Sequence, residues 1–336
     1  MTNKESKSND KKLISIVVPI FNEIDVIDIF YHRLKKVLDS LKFLTYEMVF
    51  VDDGSSDGSY QKLVDLASID RNVKIVKFTR NFGHQIAITA GTDVAKGDAV
   101  VVIDADLQDP PEVIKDFVKK WQEGYDVVYG IREKRPGETG MKLITAALFY
   151  RILKRLTKVD IPIDVGDFRL MSKRAVSQFR KLREQDRFVR GLVSWVGYKQ
   201  IGVPYSREKR YAGETKYPYT KMFKFAIDGL TSFSSVPLRL ATYLGYITSF
   251  FALLYVCSVF IQKALGITVQ GWATIMVGML FIGGVQLICL GIIGEYISRI
   301  FTETKQRPMY LVEEIFSFES YGKDSHSFNN DSIKEL

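Results

Sequence analysis

Ala99-Val-Val-Val-Ile103, followed at once by Asp104-Ala-Asp106-Leu-Gln108-Asp-Pro-Pro-Glu112, is the stretch whose reading decides the fold. An unbroken apolar run of this length reads as a strand buried on both faces, the kind found in parallel sheets. Two carboxylates then stand two residues apart where the strand must end, and the paired prolines prevent it from continuing. Acids at the carboxyl end of a buried strand lie where open α/β sheets bind their ligands. Oxygen donors of this type suit a hard divalent cation, which can bridge to a diphosphate.

The surrounding sequence repeats the pattern. Leu13 to Ile20, Tyr46 to Val51, Val73 to Phe78 and Asp126 to Gly130 read as further strands. Helical spacing covers Asp25 to Leu41, Ser59 to Ser68, Gln85 to Val94 and Pro111 to Glu123. Strands alternating with helices predict an α/β fold with a mostly parallel, Rossmann-like sheet covered on both faces. Loops after successive strands gather along one edge, so Asp52-Asp53, Arg80-Asn81 and Asp104/Asp106 should converge there. Val51-Asp-Asp-Gly-Ser-Ser-Asp57-Gly58 joins carboxylates, which can accept from a base edge or a ribose hydroxyl, to glycines that allow close backbone approach. Arg132, Arg169, Arg210 and Lys216 form a basic set in the second half of this region, and the guanidinium fork matches phosphate oxygens. Asp167, flanked by Gly166 and Phe168, is a candidate base or acceptor-positioning group, and His84 a candidate for the pocket wall.

The chain has 336 residues and a formal net charge of +8, yet between Arg239 and Glu295 its only charge is Lys263. Leu240 to Ile261 and Trp272 to Gly294 each exceed the ~20 apolar residues needed to cross a bilayer. The short link between them predicts an antiparallel hairpin. Lys221, Lys224 and Arg239 precede the first span and Arg299, Lys305 and Arg307 follow the second, so both flanks are expected to be cytoplasmic in a multi-pass protein of the cell membrane. The basic balance suits anionic headgroups and phosphorylated substrates, and no nucleic-acid-binding motif accompanies it. Cys257 and Cys289 fall in the two spans and suggest neither a metal cluster nor a disulfide framework. The expected organisation is a disordered tail (1–12), a catalytic domain (13–216), a juxtamembrane amphipathic helix (217–238), the two spans (239–298) and a cytoplasmic C-terminal tail (299–336), polar and mobile beyond about Glu319. Met141 to Lys158 is a second candidate interfacial helix.

Val17-Val-Pro19-Ile-Phe-Asn22-Glu23, Val51 to Asp57 and Asp104 to Glu112, in this order, resemble glycosyltransferase family 2 in its polyprenyl-phosphate branch. Arg187-Phe-Val-Arg-Gly-Leu-Val-Ser-Trp-Val-Gly-Tyr198 with two C-terminal spans is most similar to the bactoprenol glucosyltransferases, and dolichol-phosphate mannose synthases share the branch. The resemblance implies a GT-A fold and a nucleotide sugar held with Mg2+ or Mn2+. It implies Asp104, Asp106 and Gln108 around the metal, and Asp52 or Asp53 on uracil or ribose. Pro19, Asn22, Glu23, Arg80 and Asn81 belong to the implied donor site. Arg132 and Arg169 would meet the acceptor phosphate, Arg210 and Lys216 the diphosphate, and Asp167 matches a proposed base. Thr215 stands where the family often has Ser, which keeps the hydroxyl. Processive polysaccharide synthases carry Gln-x-x-Arg-Trp, whereas Gln185 here is followed by Asp-Arg-Phe. The expected reaction moves one sugar, with glucose from UDP-glucose first and UDP-GlcNAc, UDP-galactose or GDP-mannose as alternatives, to undecaprenyl phosphate. A catalytically silent nucleotide-sugar-binding scaffold is the reading from another class. Membrane lipid, a homo-oligomer with the tetramer as one option, and a downstream flippase and glycan transferase complete the implied partners.

Overall fold

The structure is a computed structural model and describes residues 11–133, 165–208, 236–266 and 271–318. These fall into two compact units, one built on a sheet and one on two long helices.

The first unit runs β1 (Lys12–Ile20), α1 (Ile27–Asp39), β2 (Leu44–Asp52), α2 (Ser59–Ile69), β3 (Val73–Phe78), α3 (His84–Val94) and β4 (Ala99–Val102). After the acidic loop come a single 3-10 turn (Pro111–Val113), α4 (Ile114–Gln122), β5 (Val127–Arg132), β6 (Val165–Ser172), α5 (Lys173–Phe179), α6 (Val189–Val196) and β7 (Gln200–Tyr205). The strand order is β7-β5-β6-β4-β1-β2-β3-β8. β1 sits between β2 and β4 and is parallel to both, and its residues from Ile14 to Ile20 are all buried. That double burial is why its sequence is continuously apolar instead of alternating. One face packs Phe30, Leu34, Phe117 and Phe168 into the main core. On the other face α3 comes close through Gly91, where a Cβ would stand 3.0 Å from a Val51 methyl.

Register fixes what meets at the carboxyl edge. Ile20 pairs with Asp52, so β1 and β2 end together. β6 runs antiparallel to β4 with Val102 opposite Arg169, so continuing that register by two residues sets Asp104 level with Asp167. β5 and β7 are parallel and end together at the Arg132–Tyr205 pair. Arg132 is therefore the last residue of its strand and not a loop residue beyond it. The expected single helix from Pro111 is instead a 3-10 turn that continues into α4.

The second unit contains α7 (Val236–Ala264) and α8 (Trp272–Thr304), both longer than the expected spans. Val236–Gln262 and Ile275–Thr304 are long and apolar enough to cross a membrane, and none of the apolar windows is buried inside the protein. The Cys289 thiol, midway along α8, lies against the Ala241 carbonyl near the start of α7 at 3.5 Å. The expected C-terminal tail is not all tail. β8 (Val312–Ser317) returns to the sheet and pairs antiparallel with β3. Lys77–Glu313 and the Tyr60 hydroxyl on Glu314 tie it down, and Phe316 packs on the core. The expected amphipathic helices at 141–158 and 217–235 lie outside the described residues, as do Arg210 and Lys216.

Candidate active site

The Asp104–Asp109 loop leaves β4 at the carboxyl edge and turns sharply. Asp106 Oδ1 accepts from the Gln108 amide at 3.1 Å, and the Gln108 carbonyl accepts from the Glu208 amide at 2.9 Å. Leu107 holds φ at 58°, a left-handed conformation that costs a side-chain-bearing residue free energy and is found where function over-determines the backbone. Asn22, in the loop after β1, does the same at 55°.

Asp104 is the electrostatic oddity of this loop. Its Oδ1 is buried with no hydrogen-bond partner and faces His84 Nε2 at 3.5 Å. Burial raises the carboxyl to about 6; His84 opposes this, while Asp109, Asp167 and Asp106 add to it by repulsion. A buried carboxylate oxygen without a donor is costly unless a cation arrives. Among the described residues no group of three or more His, Cys, Asp or Glu makes a metal cage. A magnesium-like ion does not require one, since one or two carboxylates with substrate phosphates fill its shell. The donor set of Asp104 and Asp106 fits such an ion.

Asp167 lies beside Asp104 and is buried. Arg190, on α6, grips it with two bonds, Nε to Oδ1 at 3.1 Å and Nη2 to Oδ2 at 3.0 Å. Gln85 links three elements at once. Its Nε2 reaches Asp167 Oδ2 at 3.5 Å, while its Oε1 accepts from the Val189 amide at 2.9 Å. His84 Nε2 stands 3.6 Å from the same carboxylate. Burial alone would raise the Asp167 carboxyl, but Arg190, His84 and Arg169 outweigh it and hold it well below the ordinary range. Burial likewise pulls the His84 imidazole down, and Asp104 and Asp167 reverse this, lifting it to about 9. A carboxylate gripped in this way is a weak base.

Arg169 departs from the expected contact with the acceptor phosphate. Its guanidinium is buried and donates to the carbonyls of Gly166 and Asp167 at 2.8 and 3.3 Å, with Asp167 Oδ1 at 3.7 Å. Burial lowers it to about 10; Asp167 opposes this, and the repulsion of Arg190 adds to it. The side chain braces the β6 backbone because β6 runs into the sheet and turns it inward.

Arg132 closes the other flank. It donates through Nε to the Tyr205 hydroxyl at 3.4 Å, and its Nη2 stands 3.8 Å from Asp109 Oδ2. Tyr205 donates to Asp109 Oδ1 at 2.5 Å.

The β2 loop sorts its two acids. Asp53 accepts from the amides of Phe82 and Gly83 at 2.6 and 2.9 Å and from Asn81 Nδ2 at 3.0 Å. Asp53 and Asn81 thus brace the two loops against each other, and their close approach requires Gly54, where a Cβ would sit 2.6 Å from the Arg80 carbonyl carbon. Asp52 keeps one buried oxygen, Oδ2, without a hydrogen-bond partner. Pro19 is buried within β1. Asn22 Oδ1 accepts from the Ser56 amide at 2.8 Å, the Glu23 amide donates to Ser59, and Arg80 is exposed over the Phe82 ring at 4.0 Å. The sequence reading did not single out Arg190, Gln85, Asp109, Tyr205 or Arg207. A glutamine directly after His84, and an arginine within the Arg187–Tyr198 stretch, were the available signals.

A mostly parallel sheet that gathers carboxylates and guanidiniums at its carboxyl edge, with an antiparallel strand carrying part of the site, is the architecture of the GT-A glycosyltransferases. The family model described as glycosyl transferase family 2 matches residues 15–180, and one described as the GtrB C-terminal hairpin matches residues 236–300. The uncharacterized glycosyltransferase YkcC of Bacillus subtilis is 53% identical over 307 residues, covering 91% of this chain and 95% of that protein. A bactoprenol glucosyl transferase of Shigella phage SfX is 43% identical, covering 89% and 98%. A prophage bactoprenol glucosyl transferase homolog of Escherichia coli is 41% identical, covering 90% and 99%. The chain belongs to glycosyltransferase family 2, and it is a glycosyltransferase.

Proposed function

We propose that this enzyme moves a single sugar from a nucleoside diphosphate to a polyprenyl phosphate, undecaprenyl phosphate in a bacterial membrane, at the cytoplasmic face. The observation that carries the proposal is the buried Asp104 oxygen, without a hydrogen bond, at the carboxyl edge of a family 2 sheet. It supports a donor that arrives with a divalent cation, Mg2+ or Mn2+. Relatives named bactoprenol glucosyl transferase support the lipid acceptor and favour glucose from UDP-glucose.

Asp104 and Asp106, with Gln108, hold the ion, which when bound offsets charge on the departing diphosphate. Asp52, whose Oδ2 has no hydrogen-bond partner, takes the uracil or ribose, in a pocket whose walls Asp53 and Asn81 brace and to which Asn22, Glu23 and Arg80 contribute. Pro19 shapes that pocket from within β1. Arg132 meets the acceptor phosphate, and Arg210 and Lys216 steady the diphosphate.

The acceptor oxygen attacks the anomeric carbon from the face opposite the nucleotide. The bond to the diphosphate oxygen breaks, its electron pair leaves with the nucleotide, and the configuration inverts. A phosphate monoester is mostly dianionic at neutral pH, with a second pKa near 6, so it brings its own nucleophilic oxygen. Asp167 therefore acts as the counter-ion that fixes Arg190 and His84, and it takes no proton.

The apolar helices hold the enzyme where the lipid headgroup is, replacing a search through solution with proximity. Purified full-length protein is incubated with undecaprenyl phosphate and, separately, UDP-glucose, UDP-GlcNAc, UDP-galactose and GDP-mannose. Lipid-linked sugar and released nucleotide from one donor are expected. Nucleotide binding without turnover for every donor would leave only the scaffold reading.

A further inference from the structure

Two guanidiniums and a phenol converge on the single carboxylate of Asp109. It is fully buried, and three side chains converge on it from two strand ends. Arg207 Nε lies 3.5 Å from Oδ1, Arg132 Nη2 lies 3.8 Å from Oδ2, and the shortest bond comes from the neutral Tyr205 phenol. Neither guanidinium contact reaches ordinary hydrogen-bond geometry. Asp109 Oδ2 and Arg207 Nε are both buried without hydrogen-bond partners. Burial and, more weakly, Arg190 oppose the protonated form of Arg132, but Asp109 and Tyr205 outweigh them and hold the guanidinium above its ordinary range. Two guanidiniums share one carboxylate here without ordinary hydrogen bonds, a geometry that a second anion would complete.

The cluster is also held still. Parallel pairing ends β5 and β7 together at Arg132 and Tyr205. On either side of Arg207, the Ser206 hydroxyl donates to Glu133 at 2.7 Å and the Glu208 amide donates to the Gln108 carbonyl at 2.9 Å. Arg33 then clamps the Glu208 carboxylate, along with Glu112, at 2.7 and 2.8 Å. Arg207 is thus stitched directly to the Asp104–Asp109 loop. Its side chain is only a quarter exposed, and that of Arg132 27%. A planar fork pre-set next to a second fork, beside a loop suited to a cation, matches the oxygens of a phosphate.

We propose that Arg207 is a phosphate-binding residue of this active site, paired with Arg132 and anchored by their shared counter-ion Asp109. The proposal rests on the transferase reading above and adds a residue to it. The phosphate comes from either the nucleotide sugar or the lipid acceptor, and the two sources separate experimentally.

Full-length wild type, Arg207→Gln and Arg207→Lys are assayed with UDP-glucose and undecaprenyl phosphate, varying each in turn, and UDP affinity is measured by titration calorimetry. A charge-assisted contact of this type corresponds to a rise in KM of about tenfold to a hundredfold for Arg207→Gln. Arg207→Lys should recover part of it, since it keeps the charge and loses the fork. A rise confined to UDP-glucose, matched by weaker UDP binding, assigns the donor. A rise confined to undecaprenyl phosphate, with UDP affinity unchanged, assigns the acceptor. If both constants stay at wild-type values, or if both variants fail to fold, the proposal is overturned and Arg207 is a structural side chain. If the wild type transfers nothing from any donor, the transferase reading falls, and the affinities of Arg207→Gln for UDP and for undecaprenyl phosphate decide this inference: weaker binding of either upholds it and wild-type binding of both ends it.

Discussion

The sheet unit and the helical hairpin are built from the same apolar residue types and place them in opposite ways. Phe30, Phe50, Phe117 and Ile16 are sealed inside the first unit. Phe260 and Leu280, on α7 and α8, are 70% and 71% exposed. In the sheet unit an apolar side chain is stabilised by other side chains at about 25 cal/mol per Å² removed from water. In the hairpin the same side chain faces outward, which is stable only where the surrounding solvent is itself apolar. Composition alone does not separate the two cases. The combination of an uncharged run from Leu240 to Ile261 with an apolar window that is 0% buried does, because a charge-free core helix would be buried.

The largest expected effect belongs to the polar edge of the sheet unit. Asp104→Asn or Asp106→Asn should lower the rate of sugar transfer at least about a thousandfold, the several kcal/mol that a catalytic ion contributes. Both variants should remain folded and in the membrane fraction. Full activity in either would remove the metal assignment.

Truncation next tests the contrast directly. Phe117→Ala should cost about 3–5 kcal/mol, read as a large drop in thermal midpoint. Phe260→Ala should stay within about 0.5 kcal/mol, as an outward-facing position does. Equal losses would mean that the hairpin face is covered by protein. Leu280→Arg should then cost about 2.5–3.5 kcal/mol of insertion, visible as protein leaving the membrane fraction, while the sheet unit keeps its nucleotide affinity.

The smallest effect is a pH dependence in the sheet unit. Burial favours the protonated form of Asp70, but Lys35, the Asn72 amide and Tyr31 outweigh it and hold the carboxyl below its ordinary 3.8. A depressed carboxylate contributes stability above the unfolded value and loses it as pH falls through the folded one. Asp70→Asn should therefore flatten the fall of the thermal midpoint below pH 3.8 and lower the midpoint at pH 7. An unchanged acid slope would show that other carboxylates carry it.

Legibility in the sequence followed distance along the chain. The strand-loop pattern around Asp104 is local, and so are β1 to β5, whose extents the spacing of apolar residues gave to within a few residues. β6, α5, α6 and β7 were not anticipated. Their meaning depends on antiparallel pairing with β4 and on Arg190 reaching Asp167 across 23 positions, which no periodicity encodes. The same holds within the site. The acids at 52 and 53 look alike in sequence. Only the fold gives Asp53 to the backbone of Phe82 and Gly83 and leaves Asp52 with an unfilled oxygen. β8 escaped notice because Val-Glu-Glu-Ile-Phe-Ser is short and charged, and it becomes a strand only when β3 offers an edge.

That last strand has a topological consequence. The sheet takes strands from before α7 and another from after α8, so the two ends of the hairpin are knotted into one folded body. A single body cannot straddle a bilayer. Any lipid barrier penetrated between β7 and β8 is therefore traversed an even number of times, because both strands belong to one sheet.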